Sequence, residues 1–172
     1  MTPTPLRAGL LAGTVAITVN TLALKLAQPL GIVAESGGLL RLGSRYAGPI
    51  ANGLGITYAW AKAGLPGPAT LPFWLAFHYA TGFGMVWLFV AVLHARLPGS
   101  GLVKGSLFSL LPWLINGLLV LPALGQGVIG WRVLPPSGIA YFAVANWLFG
   151  AVLGILYEKQ QRPKELISPV GS

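Results

Sequence analysis

Four apolar stretches, each long enough to cross a bilayer, constrain this chain more than any other feature. They cover about residues 6–33, 71–95, 102–125 and 138–157. At ~1.5 Å of rise per residue, roughly 20 helical residues cross the ~30 Å hydrocarbon layer. The breaks between them carry turn chemistry: Pro66-Gly67-Pro68, Pro98-Gly99-Ser100-Gly101 and Pro135-Pro136-Ser137-Gly138. In lipid, every backbone N–H and C=O needs a partner inside the protein, which leaves helices or a closed barrel. The stretches lack the period-2 alternation of barrel strands, so they read as helices. Composition agrees: 55% of the 172 residues are hydrophobic and only 8% are charged, against about a quarter charged in a soluble domain. The expected fold class is all-α, a polytopic membrane protein with four transmembrane helices in one domain over residues 1–158, followed by a polar tail at 159–172.

The formal charge of +8 comes from eleven Lys and Arg against three acids. These cations stand singly between apolar runs, and no basic stripe interleaves with exposed aromatics. The partner they imply is membrane lipid rather than nucleic acid. Arg7, Arg96, Lys104, Lys159, Arg162 and Lys164 fall on the side of the termini, and Arg41, Arg45, Lys62 and Arg132 on the other. That bias favours N-in, C-in in a bacterial inner membrane. The chain has no cysteine, which excludes disulfides, thiolate ligands and thiol catalysis.

Residues 35–65, between the first two spans, are glycine-rich and mildly basic. They read as an interfacial or re-entrant insert. Arg41 and Arg45, four apart on one helical face, are candidate contacts to lipid phosphates, with Leu39, Leu40 and Leu42 dipping into the bilayer.

The spans carry a repeat. Gly9 precedes Asn20 by the same interval as Gly105 precedes Asn116, and Pro29 and Pro122 follow. In the second and fourth spans, His78 precedes Gly82 as Asn146 precedes Gly150. The chain therefore reads as two tandem helical hairpins related about the membrane normal. The repeat sets Asn20, His78, Asn116 and Asn146 at comparable depth, with Lys25 a little further out. Polar groups in hydrocarbon face inward and find partners. These five form a candidate intramembrane cluster, with Lys25 snorkelling outward toward Glu35. Pro29 is expected to loosen the outer end of the first helix. Gly9, Gly13, Gly82, Gly84, Gly150 and Gly154 are candidate helix-packing positions. Trp74, Trp131 and Tyr157 suit an aromatic belt.

Catalytic chemistry has little material here. Two of the three acids, Glu158 and Glu165, lie beyond the last span. The serines lack a His-plus-acid set, and no enzyme is expected. His78 and His94 lie 16 residues apart on one helix, too far to share a metal. No metal site is expected, and His78 is a haem ligand only if another chain supplies the second. The segment "LPALGQGVIG" is the best candidate for a functional loop.

Trp74, His78 and Gly82, then Gly105, Trp113, Pro122, Gly125 and Gly127, then Gly150, Gly154 and Tyr157 form a pattern. It resembles small four-helix bacterial inner-membrane proteins of uncharacterised, YagU-like families, over about residues 70–158. The resemblance implies a four-helix fold and no defined activity. The fourth span of such proteins often opens with His, where this chain has Asn146.

The leading expectation is a non-catalytic accessory subunit that packs against other integral membrane subunits, or against copies of itself. It would hold bound lipid, with pigment or haem at an interface with partners. The alternatives are a small transporter or channel-like protein using the polar cluster, and a haem-linked electron-transfer anchor.

Overall fold

The computed structural model describes residues 4–161, and the polar tail beyond them lies outside the described residues. Among the described residues six longer helices follow in order, α1 (Pro5–Leu26), α2 (Gly38–Gly53), α3 (Ile56–Lys62), α4 (Leu71–Leu93), α5 (Gly101–Ala123) and α6 (Pro136–Gln161), with a single 3-10 turn at Val128–Gly130 between the last two. Helices α1, α4, α5 and α6 are long and apolar enough to cross a membrane, and the protein is a four-helix membrane protein. One side carries the start of α1 and the end of α6; it is called the terminal side here. The opposite side carries α2 and α3 and is called the insert side.

Helix α1 starts cleanly: Pro5 occupies its first turn and the Thr4 hydroxyl accepts the Arg7 N–H. It stops at Leu26, well short of the expected residue 33. Pro29 lacks an N–H and its ring crowds the Lys25 carbonyl, so the helix ends there rather than merely loosening. Its 22 residues still span ~33 Å, enough for the hydrocarbon layer. Conversely α6 continues past residue 157 to Gln161.

Helix α1 packs on α4 and on α6, α5 packs on α6, and α4 and α5 share the loosest seam. The two expected hairpins, α1–α4 and α5–α6, are therefore real neighbours, but the repeat is not symmetric. Its two cross-hairpin seams differ, one tight and one loose.

Glycine sets both intimate contacts. Gly9 and Gly13 of α1 lie against Val90 and Val86 of α4, and Gly82 of α4 lies against Ile17. Gly150 and Gly154 of α6 meet Gly105 and Gly101 of α5 backbone to backbone. Glu158 fastens this second pair by accepting the Gly101 N–H at 2.6 Å. Gly84 does not pack against any of the described residues: it faces outward, with none of them within 4 Å of where a Cβ would stand.

The terminal half of the bundle is filled by an apolar core. Ala8, Ala12 and Ala16 of α1 meet Val86, Phe89, Phe108, Phe149, Leu153 and Tyr157 there. The Phe89 and Phe108 rings, 5.0 Å apart, bridge α4 and α5. Tyr157 is buried against the Phe89 and His94 rings, so it belongs to this core and not to an interfacial belt.

Two π-turns interrupt the spans, Phe89–Leu93 in α4 and Asn116–Val120 in α5. The second has a local cause. Pro112 offers no N–H, and the Asn116 side chain donates back to the Pro112 carbonyl at 2.9 Å. That bond competes with the regular ladder, and the next turn widens to i→i+5.

The insert is helical and mostly exposed. In α2, Leu39, Leu42, Tyr46 and Ile50 share one face, and Arg41, Ser44, Arg45 and Asn52 share the other. Leu40 falls outside the apolar face and turns toward the bundle. Tyr46 anchors α2 by donating to the Ala123 carbonyl of α5 at 3.2 Å.

Candidate intramembrane site

The expected polar cluster converges on one space. Asn20, His78, Asn116 and Asn146 all line a cavity of about 130 Å³ on the insert-side half of the bundle. Ile17, Phe142 and Phe149 form its floor and apolar wall. The buried apolar core lies between this floor and the terminal side.

Each of the three amides donates to a backbone carbonyl, one across the bundle and two within their own helices. Asn20 is only 8% exposed and donates across the bundle to the Ala145 carbonyl of α6 at 2.8 Å. Asn116 donates to Pro112 within α5, and Asn146 donates to Phe142 within α6 at 2.8 Å. A backbone carbonyl can only accept, so each amide must present its NH₂ group to it. The three Oδ1 atoms are then the groups left for the cavity. A Cβ on Gly38 would stand 3.6 Å from Asn116 Oδ1 and 3.2 Å from Glu35 Oε1, which places both acceptors at the mouth. His78 stacks flat on Trp74, with ring centroids 5.0 Å apart and planes 5° apart. Its ring faces the interior of the bundle, in a space far smaller than a macrocycle needs.

Three participants escaped the sequence reading. Residues Glu35–Leu40, the start of the insert, enter the mouth of the bundle as part of the cavity wall. Trp74 and Thr81 line it too. Glu35 is buried and pairs with Arg41 at 2.5 Å, not with Lys25. The Ser36 and Gly38 N–H groups also donate to it. Burial pushes its carboxyl above the usual 4.5, against the opposing pull of Arg41 and these N–H groups. The run "ESGG" was the available signal: an acid two residues before a glycine that takes φ +72 at Gly37 and starts α2.

Lys25 lies apart from the amides. Its ammonium sits 4.5 Å from the centre of the Trp74 ring and lines a second, wider cleft with Arg41. Arg45 lies outside both spaces, and its guanidinium is 5.9 Å from the Tyr46 ring. The "LPALGQGVIG" loop lines neither space. It folds over the end of α5, with Ile129 at φ 50 packed beside Gly117. Among the described residues, no group of three or more His, Asp or Glu is placed to hold a metal ion.

Comparison with protein-family models, with curated proteins and with solved structures finds no match to this chain.

Proposed function

We propose that this protein is a small carrier-type membrane protein, and that the four-helix cavity binds a small, neutral, hydrogen-bond-donating solute entering from the insert side. One observation carries the reading: Asn20, His78, Asn116, Asn146 and Glu35, from five different segments of the chain, all line one cavity. Helix glue alone does not call for such a space, because polar groups that only bind helices together pack against each other and leave no void.

Size and charge narrow the solute. A cavity of about 130 Å³ compares with the ~150 Å³ cavity that takes a benzene-sized guest, which limits the solute to roughly six heavy atoms. The free amide oxygens favour a donor. The one carboxylate in the wall, Glu35, is already matched by Arg41, and Lys25 and Arg41 flank the outer cleft, so a cation gains little by entering. The packed apolar core below the cavity favours a one-sided site over an open pore. Passage requires the loose α4–α5 seam to part around Phe89 and Phe108. The charge bias supports an insert side that faces outward in a bacterial inner membrane.

The test is stopped-flow flux in proteoliposomes with urea, formamide and methylammonium as probes. The reading predicts protein-dependent flux of the two neutral donors and none of the cation. Flux equal to that of empty liposomes for all three would refute it.

A second reading, a subunit that packs against other spans or a second copy, is favoured by a different observation. Ala76, Ala80 and Gly84 make an outward stripe of small residues on α4, the pattern that lets a partner helix approach. Native mass spectrometry from the source membrane separates the two: added polypeptide or pigment mass supports the subunit, and a bare chain with lipid supports the carrier.

A further inference from the structure

Outside the inner cavity lies a cleft of about 680 Å³. It meets the cavity along Ser36, Gly37, Leu40 and Trp74, which line both spaces. We propose that this cleft is a binding site for an unshielded phosphate ester, and that its Lys25 and Arg41 are the recognising groups.

Three features support the chemistry. First, the two cations converge. Lys25 comes from the last turn of α1 and Arg41 from the first turns of α2, and both line the cleft. Lys25 is exposed, and its ammonium lies over the Trp74 ring, which holds the charge on the cleft wall. Arg41 gives one nitrogen to Glu35 and keeps its side chain 47% exposed, leaving further donors of its planar fork free. Second, among the described residues no acid lines the cleft, while Ser36, Ser44 and Thr70 do, the Thr70 hydroxyl donating to the Gly67 carbonyl and keeping only its acceptor side free. Lys25 supplies the uncompensated charge, and the Arg41 N–H groups not given to Glu35 supply further donors, a set that suits a phosphate oxyanion and disfavours a cation or an apolar guest. Third, the cleft lies where α1 ends and α4 begins, the depth at which lipid headgroups sit. The phosphate ester can therefore belong to an anionic lipid or to a soluble metabolite; the recognition is the same. This site does not depend on the carrier reading of the inner cavity.

The experiment uses the full chain in mild detergent with phosphatidylglycerol and phosphatidylcholine of matched acyl chains in equal amounts, read by native mass spectrometry. The choline ammonium shields its phosphate, so only phosphatidylglycerol presents the target. The wild type is expected to retain phosphatidylglycerol preferentially. Lys25→Ala should lower that preference about fivefold, the effect of one basic contact at a membrane surface. Arg132→Ala, which removes an insert-side cation outside the cleft, should leave it unchanged. A thermal melt in phosphatidylcholine alone checks that Lys25→Ala folds. Should that variant fail to fold, Lys25→Gln takes its place. A parallel arm adds soluble glycerol phosphate without lipid. Binding there, lost in the Lys25 variant, assigns the site to free phosphate esters; lipid retention alone assigns it to a headgroup. Equal retention of the two lipids with no glycerol phosphate binding, or a preference unchanged by the Lys25 substitution, overturns the proposal.

Discussion

Asn116→Leu and Asn20→Leu separate a ligand site from structural glue, because the two amides make different bonds. Leu and Asn carry the same number of side-chain heavy atoms, so each change swaps an amide for methyls with little change in volume. Asn116 spends its NH₂ on Pro112 of its own helix. That carbonyl also accepts the Asn116 backbone N–H, so it is not left bare. Losing the side-chain bond breaks no contact between helices, and the expected stability change is within about 1 kcal/mol. The acceptor facing the cavity is lost, however. A solute donor left unmatched there costs about 1–3 kcal/mol, or roughly 5- to 150-fold in flux. Asn20 instead ties α1 to α6 through Ala145. Its loss should cost about 0.6 kcal/mol and at most about 1.7 kcal/mol, the measured average and maximum for hydrogen bonds between membrane helices, in addition to any loss of flux. Thermal unfolding in detergent gives the stability, and urea flux in proteoliposomes gives the function. An Asn116→Leu protein destabilised by more than about 2 kcal/mol with urea flux at the wild-type level would make Asn116 structural glue and not a ligand group.

Gly150→Leu forces a side chain into the α5 backbone and should cost about 3 kcal/mol or more, seen as loss of the folded monomer in size-exclusion chromatography. Gly84→Leu meets open space and should leave the monomer's melting temperature unchanged; dissociation of a native oligomer in that variant would instead reveal a partner on the α4 stripe. Gly37→Ala puts a Cβ 2.9 Å from Trp74 Nε1 on a residue at φ +72, so a destabilisation of about 1–3 kcal/mol is expected, with a shift in tryptophan emission. The raised pKa of Glu35 means the folded state binds the proton more tightly than the unfolded state. Its contribution is therefore greatest below pH 4.5 and falls as pH rises through the higher folded value. Glu35→Gln should flatten that part of the pH–stability curve, and an unchanged slope would show that another group causes it.

The four spans were legible because hydrocarbon imposes a severe filter on composition and length, and the turns at Pro66, Pro98 and Pro135 mark their limits. The amides were legible for a related reason: an Asn in an apolar helix must find a partner, and the repeat aligned three of them with His78. Helix ends were less clear. Ala27 to Val33 are apolar enough to continue α1, and only the backbone chemistry of Pro29 stops it. The direction of Gly84 was also hidden, because it lies two residues from Gly82 and so on another side of the helix, yet both sit in the same "GFG". The partner of Glu35 could not be read from spacing along the chain. Lys25 and Arg41 are both near in sequence, and the turn at Gly37 decides which of them meets the carboxylate. The loose α4–α5 seam had no signal, since a repeat in sequence predicts two equivalent seams.

The most direct test of the central claim uses the absence of native cysteine. Thr81, on the cavity wall, is replaced by Cys in proteoliposomes and treated from the insert side with a small methanethiosulfonate reagent. Leu118, outward on α5 and 49% exposed, gives the lipid-facing control as Leu118→Cys. A polar cavity open to the insert side predicts fast modification of the Thr81→Cys protein, slowed by urea, and none of the control. Equal inertness of both positions would contradict it.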